Sequence, residues 1–201
     1  MKRLTSLQAD EIAELLLSEN VGVYPFDTII GFIGIVNPIV EKKIASIKNR
    51  KDEHPFLILV DSLESAKKLV KIPPAYELFV NSVWPGPVTL VFEKKEKVST
   101  LGFSTVAIRI PNDLVLRDLI RRVGGSVYST SVNISGEKAF LTESSISESI
   151  ISKIDFCVTA VHDSSRRVVS TIVDCTSTMP SVLREGGNVQ GVKDLIGLIG
   201  K

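Results

Sequence analysis

Cysteine and histidine are scarce in this chain of 201 residues, which contains two of each. Cys157 and Cys175 lie within apolar or β-branched runs, so we expect buried free thiols in a reducing compartment and no disulfide framework. No cluster of cysteine and histidine has the spacing of a zinc site. A Ser-His-Asp arrangement would need His54 or His162, and the surroundings of neither residue favour that role.

An excess of charge and a long apolar run are also missing. The formal net charge is +1, so any site for a polyanion must be a local patch. The most apolar segment, VGVYPFDTIIGFIGIV, contains Pro25 and Asp27 and is too short to cross a bilayer. The first twenty residues lack the apolar region of a signal peptide. We therefore expect a soluble, cytoplasmic protein with no membrane partner.

Several catalytic and nucleotide-binding signatures are absent as well. The chain has no Walker loop, no G-x-G-x-x-G sequence after a strand and no G-x-S-x-G turn. These absences argue against a P-loop enzyme, a Rossmann dinucleotide site and an α/β-hydrolase.

The pattern of elements that is present favours one α/β domain over residues 1–201. Apolar strands such as PFLILVD alternate with helical segments, mostly through short connections, which predicts a twisted sheet of parallel and antiparallel strands flanked by helices. Thr5 or Ser6 is expected to cap the first helix, Pro38 to begin the second, and Asn112 to cap the helix NDLVLRDLIRRV.

The stretch SVYSTSVNISG places polar side chains on one face of a predicted strand. Successive side chains of a strand point to opposite faces, so Ser129, Ser131, Asn133 and Ser135 share one side. The pattern leaves open whether this row faces water or a ligand.

Basic and hydroxyl side chains occur near other predicted strand ends, where open α/β sheets bind ligands. Lys48 and Arg50 end a helix, where cations complement the helix dipole or bind an anion. Arg109 lies inside an apolar strand and needs a partner, either a bound anion or an acid such as Asp27. Trp84, in WPGPVTLVF, is either a core residue or a stacking platform, and Thr89 follows it.

In this order, the segments resemble the YrdC-like family of threonylcarbamoyl-AMP synthases. The family's turn, Lys-x-Arg, Trp-Pro-Gly-Pro-x-Thr, Val-Ala-x-Arg and Ser-Thr-Ser-x-Asn-x-Ser-Gly elements correspond here to PFDT, KNR, WPGPVT, VAIR and STSVNISG. Ser170-Thr171 and Arg184-Glu185-Gly186 complete the pattern. Longer members have a further C-terminal domain, and we expect this chain to be the short form without one.

The resemblance implies an enzyme, a nucleotidyltransferase that joins L-threonine, bicarbonate and ATP into threonylcarbamoyl-AMP and pyrophosphate for tRNA modification. ATP would bring Mg²⁺, with no metal held by the protein alone, and tRNA-modification proteins would accept the adenylate. The resemblance implies a catalytic group of Lys48, Arg50, Ser131 and Asn133. It implies nucleotide binding by these four residues and by Thr89, Ser129, Ser170 and Arg184. It implies threonine binding by Asp27, Thr28, His54 and Arg109.

Three positions depart from the family pattern. Phe26 replaces a threonine near the implied amino-acid site, Ile30 stands where an aromatic residue is common, and Val132 replaces an alanine. We expect the chemistry to be retained and the effect of Phe26 to fall on substrate selectivity.

An alternative is an RNA-binding or ribosome-associated factor that uses the same fold without making the adenylate, with tRNA or double-stranded RNA on a basic surface. The candidate residues for that surface are Lys42, Lys43, Lys48, Arg50, Lys51, Arg121, Arg122, Arg166 and Arg167.

Overall fold

The chain forms one ten-stranded mixed sheet with helices on both faces. The computed structural model describes residues 1–50, 55–136, 138–140, 142–160 and 168–199. The strands are β1 (Lys2–Thr5), β2 (Gly22–Pro25), β3 (Ile30–Ile35), β4 (Leu57–Val60), β5 (Val88–Glu93), β6 (Thr105–Arg109), β7 (Ser126–Ser131), β8 (Phe156–Thr159), β9 (Thr171–Asp174) and β10 (Ser181–Arg184). The helices are α1 (Ala9–Leu17), α2 (Pro38–Ile47), α3 (Leu63–Leu69), α4 (Glu77–Val83), α5 (Leu114–Arg122), α6 (Glu148–Ile151) and α7 (Val189–Ile199).

The strand order across the sheet is β1-β8-β2-β3-β7-β4-β6-β5-β9-β10. The pairs β1/β8, β8/β2, β4/β6 and β5/β9 are parallel, and the other neighbours are antiparallel. The predicted α/β class with a mixed sheet is therefore confirmed.

The two faces of the sheet have separate apolar cores. On one face, helices α2, α3, α4 and α7 pack over alternate strand residues such as Phe32, Ile58 and Tyr128. On the other face, helices α1 and α5 cover Ile33 and Val127, which belong to the smaller core. Side-chain alternation assigns neighbouring residues of one strand to opposite cores.

Local sequence explains where several helices begin. Asn37 caps α2 by accepting a hydrogen bond from the backbone N–H of Val40 at 2.8 Å, and Pro38 follows at the first helical position, as predicted. Asp113 caps α5. The prediction of Asn112 was wrong by one residue, because it is the side chain of Asp113 that accepts from the backbone N–H of Leu116, at 3.0 Å. The backbone N–H of Asn112 donates to Asp27 Oδ2.

The amino-terminal segment differs most from expectation. Lys2–Thr5 is an edge strand parallel to β8, and α1 begins only at Ala9. Gln8 stands at the cap position without a side-chain cap, so the predicted cap at Thr5 or Ser6 was wrong. The strand pairing depends on residues more than 150 positions away, which local pattern does not register.

Trp84 belongs to the core. Its side chain is buried, and Nε1 donates to the carbonyl oxygen of Val88 at 2.7 Å. The alternative of a stacking platform is therefore wrong. Among the described helices, none has the length and apolar content that crossing a membrane requires.

Candidate active site

A cavity of about 680 Å³ opens on the sheet face that carries α1 and α5, beside those helices. No described residue of either helix lines it. The floor includes one row of paired residues that crosses five strands. In order from β7 to β9, these residues are Ser129, Leu57, Ala107, Val91 and Asp174.

Lys48 lies behind the wall at the β7 end of this cavity. Its Nζ donates to the carbonyl oxygens of Ser131 and Asn133 at 2.6 and 3.2 Å, and to Asn133 Oδ1 at 2.7 Å. Ser131 Oγ donates to the same Oδ1 at 2.8 Å. Burial, with a smaller contribution from the charge of Arg50, lowers the pKa of Lys48 to about 7. Lys48 therefore holds the turn after β7 in position.

Among the described residues, Arg50 brings a positive charge to the cavity at this end. Asn49 has a φ of +47°, which ends α2 and turns the chain so that the backbone N–H of Arg50 donates to Ala45. The guanidinium lies 4.4 Å from the centre of the Phe56 ring, and both side chains line the cavity. A guanidinium carries a planar set of donors that matches the geometry of an oxyanion.

A second polar group joins the starts of β5 and β9 to the end of β10. Thr89 Oγ1 donates to Ser170 Oγ at 2.8 Å, and Arg184 donates to the backbone oxygen of Ser170 from Nε and Nη2 at 3.1 and 2.8 Å. A side chain at Gly186 would overlap the carbonyl oxygen of Val169, so glycine permits this close approach. Burial lowers the pKa of Arg184.

Arg109 and Asp27 form an ion pair next to the cavity. Arg109 Nη1 donates to both carboxylate oxygens of Asp27 at 2.7 and 2.8 Å, and Nη2 lies 3.3 Å from Thr28 Oγ1. Arg109 is fully buried, whereas Thr28 lines the cavity. The sequence left either a bound anion or an acid as the partner of Arg109, and the structure shows the acid, Asp27. The ion pair places Thr28 in the cavity wall.

Phe26 closes the wall beside Thr28. It is buried, its ring centre lies 5.4 Å from that of Tyr24, and a side chain at Gly31 would overlap its ring edge. Phe26 and Ile30 both line the cavity.

The sequence model of the Sua5/YciO/YrdC family, described as "Telomere recombination", matches residues 14–186. That stretch is most of the chain and includes all the described residues of the cavity lining. The chain belongs to the Sua5/YciO/YrdC family. The resemblance predicted from the sequence motifs is confirmed.

Two curated relatives are threonylcarbamoyl-AMP synthases. The protein of Pyrococcus abyssi is 31% identical over 182 residues, which are 88% of this chain and 53% of the relative. The protein of Bacillus subtilis is 28% identical over 189 residues, 90% of this chain and 54% of the relative. The chain thus spans about half the length of these two relatives.

A solved structure, that of P. abyssi Sua5 complexed with L-threonine, superposes with a TM-score of 0.88 at 27% identity. The match covers 98% of this chain and 60% of the other. The family fold therefore extends over nearly all of the present chain.

The structure brings most of the predicted site residues of this family member around one cavity. Seven of them line it: Thr28, Arg50, Thr89, Ser129, Ser131, Ser170 and Arg184. Lys48 and Asn133 hold the wall from behind, and Asp27 and Arg109 hold Thr28. His54 lies outside the described residues. The predicted polar row changes character after β7, because Ser129 and Ser131 face the cavity and Ser135 is exposed.

Asp174 and Thr176 also line the cavity, and sequence reasoning missed both. Alternation from Ser170 places Asp174 on the same face of β9 as Ile172, so the signal was available once the strand was assigned. Within the described ranges, no group of three or more acidic, cysteine or histidine residues could hold a metal ion.

The basic residues proposed for an RNA surface do not meet on one side where the structure describes them. Lys42 and Lys43 lie on α2 and Arg121 and Arg122 on α5, and these helices pack on opposite faces of the sheet. Arg121 and Arg122 also pair with acidic side chains. Lys51, Arg166 and Arg167 lie outside the described residues.

Proposed function

We propose that this chain is a threonylcarbamoyl-AMP synthase, an enzyme of the nucleotidyltransferase kind. It would convert L-threonine, bicarbonate and ATP into threonylcarbamoyl-AMP and pyrophosphate. The product would supply the threonylcarbamoyl group for the adenosine next to the anticodon of certain tRNAs, through tRNA-modification proteins that accept the adenylate. The proposal places the reaction in the cytosol.

The observation that carries this proposal is the corner formed by Arg50 and Ser131. Arg50 brings a planar cation to the cavity, and Ser131 lines the wall of the same cavity. Lys48 and Asn133 hold that wall through hydrogen bonds of 2.6 to 3.2 Å. A fixed cation and fixed polar groups stabilise developing charge on a phosphate without reorganising.

The reaction needs no protein nucleophile. The threonine amine adds to carbon dioxide derived from bicarbonate, which gives a carbamate and releases a proton. A carbamate oxygen then attacks the α-phosphorus of ATP, a new O–P bond forms, and the bond to the β-phosphate oxygen breaks as pyrophosphate leaves. The protein mainly positions two anions and neutralises charge, which fits a cavity without a catalytic triad.

The amino acid would bind at the opposite wall, near Thr28. Arg109 orients the Thr28 hydroxyl from behind, and Phe26 limits the space beside it. The related P. abyssi Sua5 has been solved with L-threonine, which supports an amino-acid site in this fold. Arg109 would act through Thr28 because Asp27 already occupies its Nη1.

We treat Mg²⁺ as part of the nucleotide substrate. The described residues offer no cluster of acidic ligands for a resident ion, although Asp174 lines the cavity. In this proposal Mg²⁺ enters with the phosphates of ATP, and no step depends on a metal held by the protein.

The test is pyrophosphate release measured with each substrate omitted in turn. We expect release from ATP only when both threonine and bicarbonate are present. Replacing Arg50 by Met should lower kcat/KM by roughly 100-fold or more, because it removes the cation at the phosphates. Lys42→Met, an exposed change on the adjoining helix α2, is the matched control and should leave the rate unchanged.

Release that does not depend on threonine would contradict the proposed substrate. Equal rates for Arg50→Met and Lys42→Met would contradict the proposed phosphate corner. Absence of release together with tight, salt-sensitive binding of RNA would favour the RNA-binding alternative.

A further inference from the structure

Asp174 provides a negative charge at the end of the cavity opposite Arg50. It is the one acidic side chain among the described residues of the lining. The row of paired residues that ends at Asp174 starts at Ser129 and crosses four strand spacings of about 4.8 Å. Ser129 and Asp174 therefore lie about 19 Å apart along the sheet. This span is comparable to the length of an extended nucleoside triphosphate.

The Asp174 carboxylate is held in a fixed orientation by the turn after β9. Oδ1 accepts hydrogen bonds from the backbone N–H and the Oγ1 hydroxyl of Thr176, at 2.9 and 2.7 Å. None of the described hydrogen bonds or ion pairs engages Oδ2. An ionised carboxylate only accepts hydrogen bonds, so Oδ2 is suited to a ligand that offers an N–H or O–H group.

No described ion pair joins Asp174 to the neighbouring cation, Arg184. Arg184, on the adjacent strand, directs Nε and Nη2 to Ser170 at the beginning of β9, and none of its described ion pairs involves Asp174. The floor next to Asp174 is apolar and includes Val91, Ile172 and Leu183. A flat, uncharged group with a hydrogen-bond donor at its edge fits this surface.

Charge then determines the direction of the bound nucleotide. No described acidic side chain lines the cavity at the Arg50 end, whereas at the other end the carboxylate of Asp174 offsets the charge of Arg184; phosphates are therefore attracted to the Arg50 end, and the nucleoside half points toward Asp174. We propose that Asp174 is a specificity-determining residue that accepts a hydrogen bond from an uncharged N–H or O–H group on the nucleoside half of the nucleotide. The identity of that nucleotide as ATP rests on the proposed function.

The test replaces Asp174 by Asn and measures ATP binding by calorimetry without threonine or bicarbonate. Asn retains Oδ1 for the turn with Thr176 but replaces the acceptor Oδ2 with an N–H donor. We expect ATP affinity to fall about tenfold, as for loss of a hydrogen bond to a charged group. The control is Glu93→Gln on β5, which removes an exposed carboxylate outside the cavity lining and should leave the affinity unchanged.

Nucleotide analogues identify the donor. ATP analogues that lack one ribose hydroxyl or the adenine amino group are compared on the wild type and on Asp174→Asn. The analogue without the donor should bind the wild type about tenfold more weakly than ATP and bind the variant no worse than ATP does.

Three results would overturn the proposal. The first is an unchanged ATP affinity in Asp174→Asn. The second is that all the analogues bind Asp174→Asn more weakly than ATP does, by the same factor. The third is a loss of ATP affinity in Asp174→Asn that a higher Mg²⁺ concentration restores. Because binding is measured without turnover, a wild type that binds ATP but releases no pyrophosphate would refute the proposed function and leave this test valid.

Discussion

One face of the sheet is divided into two regions, and their side chains differ in kind. Where α1 and α5 cover the strands, the residues facing them are apolar, as at Ile33, Leu59 and Val127. Where these helices do not reach, the same face carries hydroxyls and a carboxylate, as at Ser129 and Asp174. The backbone pairing continues through both regions, so the difference lies in the side chains and in what covers them.

Strand β7 crosses the boundary between the two regions. Val127 lies in the covered region, and Ser129 and Ser131, on the same face of the strand, lie in the cavity. A hydroxyl under a helix costs free energy unless it finds a partner, whereas in the cavity it is available to a ligand. The sheet thus supports a stable core and a polar site on one face.

The largest effect is expected at Phe26, which belongs to both regions because it packs in the smaller core and lines the cavity. Phe26→Thr should lower the free energy of unfolding by about 3 kcal/mol, since it leaves a void beside Tyr24. It should also enlarge the amino-acid end, so that pyrophosphate release with amino acids bulkier than threonine rises roughly tenfold relative to threonine. Chemical denaturation and the release assay measure the two effects.

Phe26→Leu is the control for this prediction, because it keeps most of the volume. It should lose less stability than Phe26→Thr and change the amino-acid preference less. Unaltered preference in Phe26→Thr, despite lost stability, would limit Phe26 to the core.

A smaller effect is expected from exchanging side chains across the boundary on β7. Val127→Ser should lower the free energy of unfolding by about 2 kcal/mol, because it removes buried methyl groups and leaves a hydroxyl without a partner. Ser129→Val should leave stability within about 0.5 kcal/mol but reduce pyrophosphate release roughly tenfold. Each variant serves as the control for the other. If both variants lose stability and release pyrophosphate at equal rates, the division of this sheet face into a covered core and a polar site would be contradicted.

Much of the architecture could be predicted from local pattern. The apolar run at Leu57–Val60 and the Asn37-Pro38 start of α2 produce the expected strand and helix. The polar segment from Thr142 to Ile154 has a pattern that predicts one helix, but the structure forms only a 3₁₀ turn and the four residues of α6 there. A weakly amphipathic pattern does not determine the length of a helix in a segment where few side chains are buried.

The sequence predicted most of the residues that belong to the site but not the role of each one. The sequence places Lys48 and Arg50 two positions apart, yet only the fold shows that Lys48 binds the chain and Arg50 reaches the cavity. Asp27 and Arg109 are 82 positions apart in the sequence. The sequence pattern was therefore compatible with this ion pair but could not choose it over a bound anion. Asp174 was missed although alternation from Ser170 assigns it to the same face of β9, and its pairing with Val91 places it in the cavity floor.

The smallest effect is expected at Lys48, where stability depends on pH. Burial lowers the pKa of Lys48 from 10.5 to about 7, so the unfolded chain binds more protons than the folded chain between these values. The free energy of unfolding therefore rises with pH in this window. Relative to Lys48→Met, the wild type should gain up to about 1 kcal/mol between pH 7 and pH 8, as measured by denaturation. Lys42→Met is the control, because it changes an exposed lysine on α2 and retains Lys48. Its stability should depend on pH as that of the wild type does. A difference that shrinks as pH rises would mean that the three oxygen acceptors around Nζ favour the charged amine more than burial disfavours it.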